Sequence, residues 1–141
     1  RLKQGENGKG LHSRWYPQTL CKRISDIVSI RDRITFIQGD GLEILRQNAQ
    51  RPNALFFIDP PYTVAGKKAG SRLYAHHELN HEELFRLTAR LSGDFLMTYD
   101  DAEEVRDLAR QHRFDMRTIP MKNTHHAKMT ELLIGRDLRW V

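Results

Sequence analysis

Asp59-Pro60-Pro61-Tyr62, directly after Leu55-Phe56-Phe57-Ile58, is a run whose residue types and spacing could do chemistry. The four apolar residues, aromatic or branched, read as a buried interior strand. The acid and two prolines stop that strand, because proline has no N–H to give to a sheet ladder. An acid at the carboxyl end of a strand, followed by rigid backbone and an aromatic ring, offers a carboxylate, fixed carbonyls and a flat stacking surface. Such a site suits a planar ligand bearing an amino group. Asp-Pro-Pro also makes ordinary turns for local backbone reasons, and its place directly after a strand is what favours the site.

The elements that must position this run follow from the flanking pattern. Pro17 opens a helix with Leu20, Ile24, Ile27 and Val28 at helical spacing, a stripe that reads as core. Ile34-Thr35-Phe36-Ile37 alternates and reads as a strand, and Gly39-Asp40-Gly41 turns it into a helix over 42–49 that Asp40 is placed to cap. Residues 63–72 form a glycine-containing basic loop. There Lys67, Lys68 and Arg72 are either phosphate contacts beside Asp59 or a solvated surface. Asn80-His81-Glu82-Glu83 has the capping-box pattern and opens a helix with Leu84, Phe85, Thr88 and Leu91 on one face, ended by Gly93. A buried strand over 95–99, a helix over 102–112 capped by Asp101 with Glu104, and a closing pair of strands over 114–121 and 129–134 complete an α/β order. His76, His77, His81, His125 and His126 match no zinc spacing and have no companion cysteine, so no metal site is expected.

A chain of 141 residues with 39% hydrophobic content can build one core, and a single domain over 1–141 is expected, with 1–12 mobile. No apolar run approaches a membrane span, Cys21 is the only cysteine and no signal peptide is visible, which together predict a soluble, cytoplasmic protein. Arg1 in place of an initiator Met suggests a piece of a longer protein. The net charge of +5 is entirely N-terminal: residues 1–33 carry eight Lys/Arg against three acids, and 34–141 carry fifteen of each. A basic segment of this kind either tracks nucleic-acid phosphates or is a solvated leader.

Asp59-Pro60-Pro61-Tyr62 resembles the catalytic tetrapeptide of the amino-group DNA methyltransferases. The longer run from Phe57 to Leu87, with Gly66-Lys67-Lys68-Ala69-Gly70-Ser71-Arg72 leading into Leu73-Tyr74-Ala75-His76-His77-Glu78-Leu79, is similar to the Dam-type adenine methyltransferases in particular. Residues 13–24 and the run Glu131-Leu132-Leu133-Ile134 also resemble segments of that family. The resemblance implies a partial Rossmann-like methyltransferase fold, its sheet mostly parallel with a closing antiparallel pair. It implies S-adenosylmethionine as cofactor and double-stranded DNA as partner, with methyl transfer to adenine N6. Asp59, Pro60, Pro61 and Tyr62 take the catalytic role by this resemblance, and Asp40 and Asp59 that of cofactor contacts. The N6 lone pair is delocalised into the ring until acceptors hold its two hydrogens. The Asp59 carboxylate and Pro60 carbonyl suit that task, and Tyr62 suits stacking on a flipped base.

The chain departs from the family in lacking its Phe-x-Gly-x-Gly cofactor loop, and the similarity over 13–137 covers only the carboxyl-terminal half of the family domain. In the family's sheet two strands that this sequence lacks lie between those expected at Ile34 and Leu55, so the missing amino-terminal half or a partner chain is needed to complete the sheet unless its strands re-pair. Two alternatives remain: an inactive remnant that binds nucleic acid through its basic residues, and a methyltransferase for cytosine N4 or RNA.

Overall fold

The computed structural model describes residues 15–61, 79–122 and 128–141. By its backbone contacts the chain divides into two compact units, Arg1–Gln38 and Gly39–Val141. No helix among the described residues is long and apolar enough to cross a membrane.

In the first unit, α1 (Pro17–Ser29) starts with proline in its first turn, and a 3-10 turn follows at Arg31–Arg33. Proline is at home there because its missing N–H has no intrahelical partner to lose. Lys22 and Asp26 pair across one turn at 2.7 Å. Two expectations are corrected here. No residue of α1 is buried, and Leu20, Ile24, Ile27 and Val28 are all exposed, so the stripe is amphipathic but not core. Residues 34–37 form no strand either: Ile34 has extended dihedrals, yet no ladder partner is present among the described residues, and Ile34, Phe36 and Ile37 are exposed. Alternation prepares a segment for a sheet, but only a neighbour's N–H and C=O groups make it a strand.

The second unit carries α2 (Gly41–Asn48), β1 (Leu55–Ile58), α3 (His81–Thr88), β2 (Asp94–Asp100), α4 (Glu103–Gln111), β3 (Asp115–Lys122) and β4 (Lys128–Gly135). The strands form one four-stranded sheet in the order β1-β2-β4-β3. β1 runs parallel to β2, whereas β4 runs antiparallel to both β2 and β3. The closing antiparallel pair appears as expected, but the mostly parallel sheet does not: two of the three strand pairings are antiparallel. The cause lies at β1, which stands at the edge of the sheet and not in its interior, so only its β2 side makes a parallel pairing.

Period-two alternation divides the sheet into two faces. Phe95, Met97 and Tyr99 of β2, with Leu132 and Ile134 of β4, are buried together with Leu84 and Phe85 of α3, Val105 and Ala109 of α4, Leu45 of α2, and Phe114. Phe56 and Ile58 pack at the margin of this core. Phe85 meets the ring of Tyr99 on β2 at 5.7 Å and, just past the end of α4, those of Phe114 at 6.1 Å and His112 at 6.3 Å between centroids. Each fully buried side chain of this size stabilises the fold by about 1.5–3 kcal/mol relative to exposure. Thr88, buried in α3, directs its hydroxyl to the Leu84 carbonyl at 2.8 Å and leaves no polar atom unpaired. The opposite face is thinner. Leu55 and Phe57 are 76% and 67% exposed there, and Leu96, Thr98 and Leu133 are half-buried.

The helix ends follow their sequence signals unevenly. Asn80 caps α3 by accepting from the Glu83 amide at 2.9 Å, while the Glu83 carboxylate turns to Arg46 and Arg86. α4 has no side-chain cap; Asp101 pairs instead with Arg106, at 2.7 Å to Nε and 2.9 Å to the guanidinium terminus. A fork-on-carboxylate pairing outcompetes a single N–H contact.

Candidate active site

β1 ends at Ile58, ahead of Pro60 and Pro61, which have no N–H to continue its ladder, and the chain leaves the sheet there as expected. The pairing of Phe57 with Leu96 and of Ile58 with Met97 carries Asp59 alongside Thr98 on β2. The Thr98 hydroxyl donates to Asp59 Oδ1 at 2.7 Å, a typical length for an O–H···O bond. Asp59 is solvent-exposed, and Pro60 and Pro61 are half-buried behind it.

Two further acids stand at this end of the sheet. β2 finishes at Asp100, and Asp100 faces Glu131 across the β2–β4 ladder. Burial pushes the half-buried Glu131 carboxyl above the ordinary glutamate range, and the charges of Asp100 and Asp59 push it further the same way. Next along the chain, the Arg106 guanidinium holds Asp101 below the ordinary range, and Thr130 adds a hydroxyl at 3.2 Å from Asp101 Oδ2. The end of β2 is thus tied to both α4 and β4. On the helix-covered side, His81 Nδ1 lies 3.0 Å from the buried Tyr99 hydroxyl, and burial lowers the His81 pKa. Among the described residues no group of three or more His, Cys, Asp or Glu is arranged to hold a metal ion.

Asp40 caps α2: its Oδ1 accepts from the Leu42 amide at 2.7 Å and the Glu43 amide at 3.4 Å. The capping role read from the sequence is therefore present, on an element separate from β1. Tyr62, Lys67, Lys68, Arg72, His76, His77, His125 and His126 lie outside the described residues.

Sequence reading passed over Thr98 and Asp100. Both sit on the alternate positions of β2 that face away from the core, which the strand period does reveal. Their neighbourhood with Asp59 depends on the β1–β2 register, and nothing local encodes that.

Neither the protein-family models nor the curated proteins searched give a match to this chain.

Proposed function

We propose that the protein transfers a methyl group from S-adenosylmethionine to the N6 amino group of adenine in double-stranded DNA. The observation that carries this reading is the Asp59 carboxylate at the end of β1, backed by Pro60 and Pro61 and held by the Thr98 hydroxyl. An ionised carboxylate has about four lone-pair positions and accepts only, so it suits an exocyclic amine that must be held by its hydrogens. Asp59 and the Pro60 carbonyl accept the two N6 hydrogens, which weakens conjugation of the nitrogen with the ring, and Tyr62 stacks on the flipped base.

Bound S-adenosylmethionine supplies a methyl group already activated on sulfur. The residues present fit it in chemical kind: Asp40, an acceptor at the start of α2, suits an amino or hydroxyl donor of the adenosine part. The protein's contribution is orientation of the amine and exclusion of competing geometries. The fold that accompanies this reading is Rossmann-like, with strand, helix, strand, helix and antiparallel pair as its closing half, and further strands adding at the open edge of β1. Lys67, Lys68 and Arg72 are proposed to hold DNA phosphates.

The test incubates the full-length protein with methyl-labelled S-adenosylmethionine and unmethylated duplex DNA, digests the product and separates the nucleosides. Label in N6-methyldeoxyadenosine that Asp59→Ala abolishes is the expected result. Label in N4-methyldeoxycytidine overturns the assignment of the base. No label from a folded protein that still binds duplex DNA favours the inactive binding module.

A further inference from the structure

We infer that Thr98 is a positioning residue of Asp59, holding its carboxylate for the incoming amine; this rests on the function proposed above. Asp59 is the first residue beyond β1, exposed and outside the ladder, so its backbone does not by itself fix the side-chain direction. Thr98 differs on each of these points. It lies inside β2, one residue past the last β1 pairing at Met97 and within the ladder to β4, where its partner is Leu133, and it is half-buried. Its branched Cβ restricts χ1, so the hydroxyl is presented from a rigid base, and the 2.7 Å bond passes that rigidity to Asp59 Oδ1.

The chemistry favours a hydroxyl here. A cationic partner such as Arg would engage both oxygens and neutralise the carboxylate that must accept amine hydrogens. A hydroxyl donates a single hydrogen bond to one oxygen and brings no counter-charge of its own. Orientation also has an opponent at this site. Asp100 and Glu131 stand at the same end of the sheet, and the Asp59 charge reaches Glu131. Negative charge at those positions repels the Asp59 carboxylate, and the Thr98 bond opposes its displacement.

Thr98→Val removes the hydroxyl while keeping shape and β-branching, and Thr98→Ser keeps the hydroxyl. The first readout does not depend on methyl transfer: three-bond NMR couplings at Asp59 report its χ1. A single rotamer in the wild type and Thr98→Ser, with averaging in Thr98→Val, is expected. The second readout is steady-state methyl transfer to duplex DNA. Thr98→Val is expected to lower kcat by tens of fold, up to about 100-fold, with KM for DNA little changed, and Thr98→Ser to restore it. A single Asp59 rotamer in Thr98→Val overturns the inference, as does averaging without loss of kcat. A wild type with no transfer overturns the proposed function instead, while the couplings still decide whether Thr98 orients Asp59.

Discussion

Gly93 abuts the carbonyl oxygen of Ala54 so closely that a Cβ on Gly93 would overlap it, and the same Cβ would meet the Arg51 carbonyl at 2.7 Å. The contact lies where β1 and β2 both begin. The Asp94 amide donates to that Ala54 carbonyl at 3.0 Å, and the Ser92 amide to Ala49 at 2.7 Å. Four residues later the same register brings Asp59 and Thr98 together. Gly93→Ala forces backbone against backbone and is expected to destabilise the protein by about 1–3 kcal/mol. Urea unfolding measures it, and a change within about 0.5 kcal/mol would show that the two strand starts separate easily.

The opposite outcome is expected at Arg113. It is the non-glycine residue with positive φ among those described, at 58°, just past α4, where Phe114 donates back to Ala109 at 2.9 Å. A left-handed residue after a helix is normally glycine, and a side chain there costs about 1 kcal/mol. Arg113→Gly should raise stability by about 0.5–1 kcal/mol, less whatever chain entropy glycine adds to the unfolded state. The shift in urea midpoint at constant m-value tests this.

These two positions show what was legible in the sequence. The period of β2 and the helices 81–88 and 103–111 announce themselves, because each carries its own burial pattern; the run 55–58 announces a strand, but Leu55 and Phe57 stay exposed where a buried interior strand was expected. Gly93 reads as a helix end, yet α3 stops at Thr88 and the glycine serves a strand contact. Residues 34–37 and the α1 stripe have the right pattern but lack partners, and pattern cannot report a partner. At the candidate site, Asp59 was legible from its own neighbours. Thr98 was not, since a hydrogen bond spanning 39 positions depends on register.

The proposed DNA contacts make a separate prediction. Lys67, Lys68 and Arg72 occupy a glycine-containing basic segment, which suits phosphates better than the rigid bidentate presentation that base reading requires. Replacing all three by Ala should weaken binding to cognate and unrelated duplexes alike and reduce the slope of log K against log salt by about 2–3. A loss confined to the cognate duplex would mean that the segment reads sequence.

Glu131 provides the pH test of the acid cluster. Its folded-state pKa is raised, first by burial and then by Asp100 and Asp59. The folded protein therefore holds a proton that the unfolded chain has already released, in the window from the ordinary glutamate value up to the raised one. Below that window both states are protonated and Glu131 weakens nothing. As pH rises through it, stability declines, and above it the loss is constant. Glu131→Gln carries no such charge, so it should match the wild type in acid and exceed it in stability at neutral pH. The Asp59 share of the effect is separable: Asp59→Asn removes that charge without removing burial, so the Glu131 carboxyl should titrate lower but still above an ordinary glutamate. Carbon-13 NMR of the Glu131 carboxyl in the wild type and Asp59→Asn follows this directly, with urea unfolding across the same pH range as its thermodynamic counterpart. An unchanged Glu131 titration in Asp59→Asn would mean that the two carboxylates are electrically independent, and Thr98 would then have no repulsion from Glu131 to oppose.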